Sequence, residues 1–197
     1  MTGEDKNAAV GAADSDLVRA FRAGDQAALE VLIERHKGAL YAYLLRLSKD
    51  RAAAEDLLQE VFLKVFRKLP SYDEREKFTA WLFTIAHHAL MDRFRAGARR
   101  REDSLDARPE DGLPLGERLA GSEPGPDGGL GKAERAAAIQ AAFDRLPREQ
   151  RELFLMRHYS GLSFREIAGI LGVPIGTALA RMSRAMAKMR EELDGMQ

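Results

Sequence analysis

The sequence predicts an all-α protein, two small helical domains joined by a flexible linker. Three observations carry that prediction. Apolar residues recur every three or four positions from residue 14 to 101 and again from 132 onward, the spacing of helices that bury one face. The first of these blocks has no period-two alternation and few β-branched residues, which argues against strands. Between the blocks, residues 102–131 hold seven glycines and four prolines and keep no apolar period, the composition of a linker.

Residues 1–13 are polar and acidic, without the apolar core of a signal segment, and read as a disordered tail. Helical spacing begins at Ser15, where Leu17, Val18 and Phe21 form a short stripe that Gly24 stops. Asp25 is placed to cap the next helix, on which Leu29, Leu32, Ile33, Leu40, Leu44 and Leu47 recur. A third helix runs from about Arg51 to Leu69. Ala54, Leu57, Leu58, Val61, Phe62, Val65 and Leu69 make its core stripe, and Glu55, Asp56, Gln59, Glu60, Lys64 and Lys68 its other side. Pro70 ends it, and residues 70–77, PSYDEREK, form a short charged loop.

The stretch from Phe78 to Arg101 organises the rest. Phe78, Trp81, Leu82, Ile85 and Ala89 lie on one side of a helix, and Phe83, Leu90 and Phe94 on another. A helix apolar on two sides packs between neighbours. One stripe stays polar, through Thr84, His88, Asp92, Arg95 and Arg99, and the stretch ends in three arginines. Aromatics at the start and arginines at the end fit an element that meets bases with one half and phosphates with the other. A core helix with a solvated basic end has the same pattern.

The second helical domain, 132–197, opens with a helix carrying Ala136, Ile139, Ala142, Phe143 and Leu146 inward. Pro147 suits a helix start and leads into Arg148–Tyr159, with Leu153, Phe154 and Met156 apolar, until Gly161 breaks it. Ser163-Phe-Arg-Glu166 is a capping-box signature for a short helix ending at Leu171. Gly172-Val173-Pro174 is a tight turn, and Ile175 to Leu193 is a longer helix. Short helix, Gly-containing turn and second helix is the helix-turn-helix spacing.

The formal net charge of zero hides a split. Residues 1–13 carry −1, residues 14–101 carry +4, residues 102–131 carry −6 and residues 132–197 carry +3. Two basic blocks flank an acidic connector, which bears on partners rather than fold. Zero cysteines exclude a disulfide framework and any thiolate metal site, and fit a reducing cytosol. No apolar run is long enough to span a bilayer, so the expectation is a cytoplasmic protein with no membrane contact of its own. His36, His87, His88 and His158 are the only histidines, and no HExxH, Gly-rich phosphate loop or GxSxG accompanies them. No enzymatic activity, cofactor or metal is therefore expected.

AEDLLQEVFLKVF at 54–66, FTAWLFTIAHHALMDRFR at 78–95 and LPREQRELFLMRHYSGLSFREIAGILGVPIGT at 146–177 together resemble a bacterial RNA polymerase sigma factor of the extracytoplasmic-function (ECF) branch. The resemblance covers about 14–101 as the region-two domain and 132–193 within the region-four domain, 132–197. It implies a protein that directs core RNA polymerase to promoters, binds both promoter elements and melts the downstream one. It also implies an anti-sigma factor as inhibitory partner. The family's polymerase-docking positions match Asp56, Gln59 and Glu60, with Glu55 beside them; read without the family, that face is an ordinary solvated one.

The loop and helix start that hold an unstacked minus-ten base correspond to Tyr72, Lys77, Phe78 and Trp81, the last two equally readable as core. Thr84, His88, Arg95 and Arg99 continue that surface toward phosphates, with Arg93, Arg100 and Arg101 nearby. His88 stands where the family often has Asn, and its ring cannot offer a paired amide donor and acceptor. At the minus-thirty-five element the resemblance implies contacts from Ser163, Thr177, Arg181 and Arg184. Leu179 and Ala180 depart from the usual basic residue and Ser, as do Met186 and Ala187 from commonly basic positions. The two elements lie roughly 70 Å apart, two DNA turns. The linker spans roughly 30 Å as a coil and about 100 Å stretched, so it bridges them only when extended. The competing reading is a stand-alone two-domain helix-turn-helix regulator, which leaves the 54–95 block without a purpose.

Overall fold

A computed structural model of the chain describes residues 11–103 and 129–194. Those residues form eight α-helices and one 3₁₀ turn that divide between two compact units. The expected tail up to residue 10 and most of the expected linker, 104–128, lie outside the described residues. At the edges of that segment, residues 102–103 and 129–131 are helical.

The first unit consists of α1 (Asp14–Arg22), α2 (Gln26–Ser48), α3 (Arg51–Lys68), a 3₁₀ turn at Leu69–Ser71, and α4 (Phe78–Asp103). Its reversals are built from short side chains and unusual backbone. Gly24, at φ +102°, lets the chain turn after α1, and the Asp25 carboxylate then accepts from the Ala27 N–H at 3.0 Å to start α2. Between α2 and α3 the turn needs only Lys49 and Asp50. Lys49 is left-handed at φ 57°, its N–H donating to the Leu45 carbonyl, and Asp50 caps α3 by accepting from Ala53 N–H at 3.2 Å. That two-residue reversal sets α2 and α3 side by side as a hairpin.

α4 packs against both. Leu82, Phe83, Ala86 and Leu90 are fully buried, as are Leu40, Tyr43 and Leu44 of α2 and Leu57 and Val61 of α3. Tyr43 and Phe83 meet edge-on at 5.3 Å at the centre of this core. The two apolar sides of α4 exist because two helices cover it.

The second unit has α5 (Gly129–Asp144), α6 (Arg148–Ser160), α7 (Phe164–Leu171) and α8 (Ile175–Asp194). Its core holds Phe143, Leu146, Leu153, Leu155, Met156, Ile167, Ala178 and Ala185. On α6 the structure buries Leu153, Leu155 and Met156 and leaves Phe154 half-covered, edge-on to Phe143 at 5.7 Å. α7 ends at Gly172, left-handed at φ +64°, with the Val173 N–H returning to the Ala168 carbonyl at 3.0 Å. Pro174 follows, and α8 departs in a new direction. Lys188 Nζ donates to the Arg145 carbonyl at 2.9 Å and Arg145 pairs with Glu192, so the far end of α8 is tied to the end of α5.

Candidate functional site

Three surfaces take shape from these elements. On α3, Asp56, Gln59, Glu60 and Leu63 lie at i, i+3, i+4 and i+7 and are all exposed, so they share one outward face. Leu63 is 57 % exposed, a large aliphatic side chain set among acids and an amide. Phe66 borders it, touching Phe21 edge-on at 6.0 Å. Glu55 sits to the flank and is engaged by Arg51 at 3.0 Å. Asp56 is only loosely held by Arg93 of α4, at 3.8 Å, and Glu60 pairs with Lys64 on its own helix. Exposed pairs of this kind contribute little stability and are readily exchanged for a partner's charges.

The second surface is the loop between the 3₁₀ turn and α4. Arg22, at the end of α1, holds it from outside. Its guanidinium donates to the Leu69 carbonyl at 3.2 Å, to the Tyr72 carbonyl, and to Glu74 at 2.7 Å. Tyr72 is only 5 % exposed, and its hydroxyl donates to the Glu76 carbonyl across the loop. Burial, reinforced by Glu76, Asp14, Glu74 and Asp73, pushes its phenol up to about 12, so it stays a donor throughout the physiological range. At the loop tip, Arg75 hydrogen-bonds Asp73 and pulls its carboxyl down to about 2.

Behind the loop four rings meet. Phe78 contacts His36 at 5.2 Å, Tyr72 at 5.8 Å and Trp81 at 5.7 Å, and Trp81 tilts over Tyr72 at 4.8 Å. Phe78 is 5 % exposed. Tyr72 and Phe78 are therefore covered, and they form the wall behind Trp81, which is partly exposed. Burial follows from three elements converging on one point, which helical periodicity does not report.

Asp14 underpins this wall, lying 2.9 Å from His36 Nε2 and 2.5 Å from Arg35 Nη1. Burial alone would raise its pKa, but hydrogen bonds and charge from His36 and Arg35 outweigh that and hold it below 3.8. A depressed carboxyl contributes stability above the unfolded value, and loses it as pH falls through the folded one. Asp14→Asn is accordingly expected to lower unfolding stability at pH 7 by about 1–3 kcal/mol, by loss of charge-assisted hydrogen bonds. Urea titrations should show that deficit shrinking as pH falls through and below 3.8; a deficit independent of pH would refute the assignment.

From Trp81 a stripe runs along α4 through Thr84, His88, Asp92, Arg95 and Arg99, over about 27 Å at the helical rise. Thr84 bonds back to the Ala80 carbonyl at 2.8 Å, so its hydroxyl proton is engaged. His88 and Arg99 are exposed, and Arg95 pairs with Asp92 three residues away. Lys77 is exposed just before the helix, its carbonyl accepting from the Trp81 N–H at 3.1 Å. The side chains of Arg100 and Arg101 lie outside the described residues.

The third surface is the α7–α8 hairpin. Ser163 completes the capping box: its hydroxyl accepts from Glu166 N–H at 3.3 Å and donates to the Glu166 carboxylate at 2.6 Å, while its own N–H donates to that carboxylate at 2.7 Å. The hydroxyl expected to contact DNA is thus already committed to starting α7 correctly. Ser163→Ala should cost the isolated protein about 1 kcal/mol of stability. A loss of promoter binding with unchanged thermal stability would instead give that hydroxyl a direct contact. On α8, Thr177, Arg181 and Arg184 fall at i, i+4 and i+7, Thr177 and Arg181 half-buried and Arg184 exposed. Ile175 and Leu179 are exposed beside them.

The sequence model of the Sigma-70 region 2 family matches residues 32–100, and that of Sigma-70, region 4 matches residues 136–189, together more than half of the chain. The chain belongs to the ECF family of RNA polymerase sigma factors. It is 32 % identical to the RNA polymerase sigma factor CarQ of Myxococcus xanthus, over 88 % of this chain and 93 % of that one. It is 35 % identical to the ECF RNA polymerase sigma factor SigE of Mycolicibacterium smegmatis, over 86 % of this chain but 64 % of that protein. Among solved structures, the sigma factor RpoE of Bartonella quintana, crystallised with the anti-sigma factor NepR, matches at TM-score 0.68 and 28 % identity, over 84 % of this chain and 96 % of that one.

A sigma factor directs core RNA polymerase to promoters, and the surfaces above divide between its two regions. The α3 face, the aromatic wall and the α4 stripe fall within the region-two match, and the hairpin within region four. Arg22 and Asp14, which position the loop, precede the matched segment. Among the described residues no helix is long and apolar enough to cross a membrane.

Proposed function

We propose that this sigma factor initiates transcription through those three surfaces, in the cytoplasm and by binding rather than by chemistry of its own. The α3 face, with Asp56, Gln59, Glu60 and Leu63, docks on core RNA polymerase, its acids meeting a basic surface and Leu63 an apolar depression. Trp81 stacks on an unpaired base of the minus-ten element, and Lys77, Thr84 and His88 line its path. Flipping a base costs a few kcal/mol and stacking returns about 1–3, so the melted strand needs the phosphate contacts of Arg95 and Arg99 as well. The α8 helix enters the duplex major groove at the minus-thirty-five element, with Thr177 and Arg181 toward the backbone and Arg184 able to fork onto guanine. An anti-sigma factor, the kind of partner with which the Bartonella quintana relative was crystallised, would inhibit by covering these surfaces.

The observation that carries this reading is the continuity of Trp81 with the arginine-bearing stripe on one helix, adjacent to an exposed acidic and apolar face on the next. A stand-alone regulator would have no use for either. Run-off transcription with purified core polymerase on a promoter library tests it: discrete start sites that depend on the added chain are expected. Folded chain and active core that select no start site would defeat the proposal.

A further inference from the structure

The first three turns of α8 present outward Gly176, Leu179, Ala180, Ser183 and Arg184. Leu179 is 47 % exposed, with Ala180 half-buried next to it. A lone exposed leucine ordinarily needs no explanation. This one stands on the second helix of a helix-turn-helix, in the turns that reach base edges. The segment from Ile175 to Lys188 contains no carboxylate, and among the described residues Arg184 has no ion-pair partner. A cationic surface without acids fits a groove walled by phosphates better than it fits a protein partner of mixed charge. Inside a major groove, an aliphatic side chain can recognise only one base substituent, the thymine 5-methyl.

We propose that Leu179, supported by Ala180, is a specificity-determining residue that reads thymine methyl groups in the upstream promoter element, with Arg184 supplying the hydrogen-bonded contact alongside. The reading rests on the region-four assignment above. In place of a hydrogen-bonding residue, this chain uses apolar contact at that position, so discrimination there is between thymine and every other base, in steps of a single methyl group.

The test uses the holoenzyme and a duplex promoter that it selects from a random library. Each thymine of the upstream element, on either strand, is replaced singly by deoxyuridine, which lacks only the methyl, and binding is measured by competition at fixed salt. One or two positions should lose about threefold to fivefold in affinity, the effect of one buried methyl-sized group. Leu179→Ala should lose a similar amount and no longer respond to deoxyuridine there, while Arg184→Ala should bind more weakly yet keep the methyl response. Wild-type holoenzyme indifferent to deoxyuridine at every position would overturn the proposal, as would a Leu179→Ala variant that keeps the full methyl response. A selected element without thymine, with Leu179 protected instead by an added protein, would do the same. Failure to select any promoter would sink the underlying sigma reading too, whereas normal selection without methyl sensitivity sinks this inference alone.

Discussion

Replacing Leu63 by glutamate is expected to weaken binding of the chain to core RNA polymerase about 30-fold or more, while leaving its own thermal stability within about 0.5 kcal/mol. The stability half follows from exposure: the side chain is mostly in water, outside the buried core. The binding half follows from how interfaces distribute energy. A few residues near the centre dominate, each at 2 kcal/mol or above, and surrounding polar contacts chiefly exclude water. Leu63 is the aliphatic member of a face otherwise made of Asp56, Gln59 and Glu60, so it is the member able to fill an apolar depression. A carboxylate there would be buried unpaired next to two others. Asp56→Ala should have a smaller effect that shrinks at high salt, because its charge is exposed. Unchanged polymerase affinity for Leu63→Glu, measured by displacement of a labelled sigma factor, would remove this face from the docking surface.

Trp81→Ala is the second large effect. The ring is partly exposed and packs at a tilt against Tyr72 and Phe78, so a base stacking on its exposed part is expected to leave that wall in place. Loss of one stacked base is worth about 1–3 kcal/mol, which predicts roughly 5- to 150-fold weaker binding of holoenzyme to a single-stranded minus-ten oligonucleotide. Trp81→Phe should recover much of it. Because Trp81 is the only tryptophan in the chain, its fluorescence reports the contact directly, and the bound oligonucleotide should quench it. Equal affinity for wild type and Trp81→Ala, with no quenching, would mean that the ring serves only to pack Tyr72 and Phe78. A merely destabilised loop gives a different signature, lost affinity that Trp81→Phe does not restore.

Much of this architecture is legible in local spacing. The capping box at Ser163 and Glu166, the cap at Asp25 and the breaks at Gly24, Gly161 and Gly172 are fixed by interactions within four residues, so the sequence alone places them. The two-sided apolar pattern of α4 likewise announces a helix between neighbours. Less legible was the loop before it. Arg22 reaches carbonyls 47 and 50 residues further along, and no periodicity or motif marks an arginine at the end of a short amphipathic helix as a clamp. Asp14 and His36, 22 residues apart, are paired by the packing of α1 on α2 and carry no sequence signature either.

Helix period tells which residues share a side, but it does not say how far a neighbouring helix covers that side. Spacing put Phe78 and Trp81 on one side and the family resemblance added Tyr72, but only the convergence of α1, α2 and the loop closed off Tyr72 and Phe78 and left Trp81 partly exposed. The same limit applies to Leu63, Phe66 and Leu179, whose chemistry alone would send them inward. What the amino-acid order determined by itself was the set of helices, their caps and the positions of the charged and aromatic residues along them. What the tertiary structure decided was exposure, because burial depends on contacts between residues far apart in the chain, and exposure is what separates a residue that can bind from one that only supports.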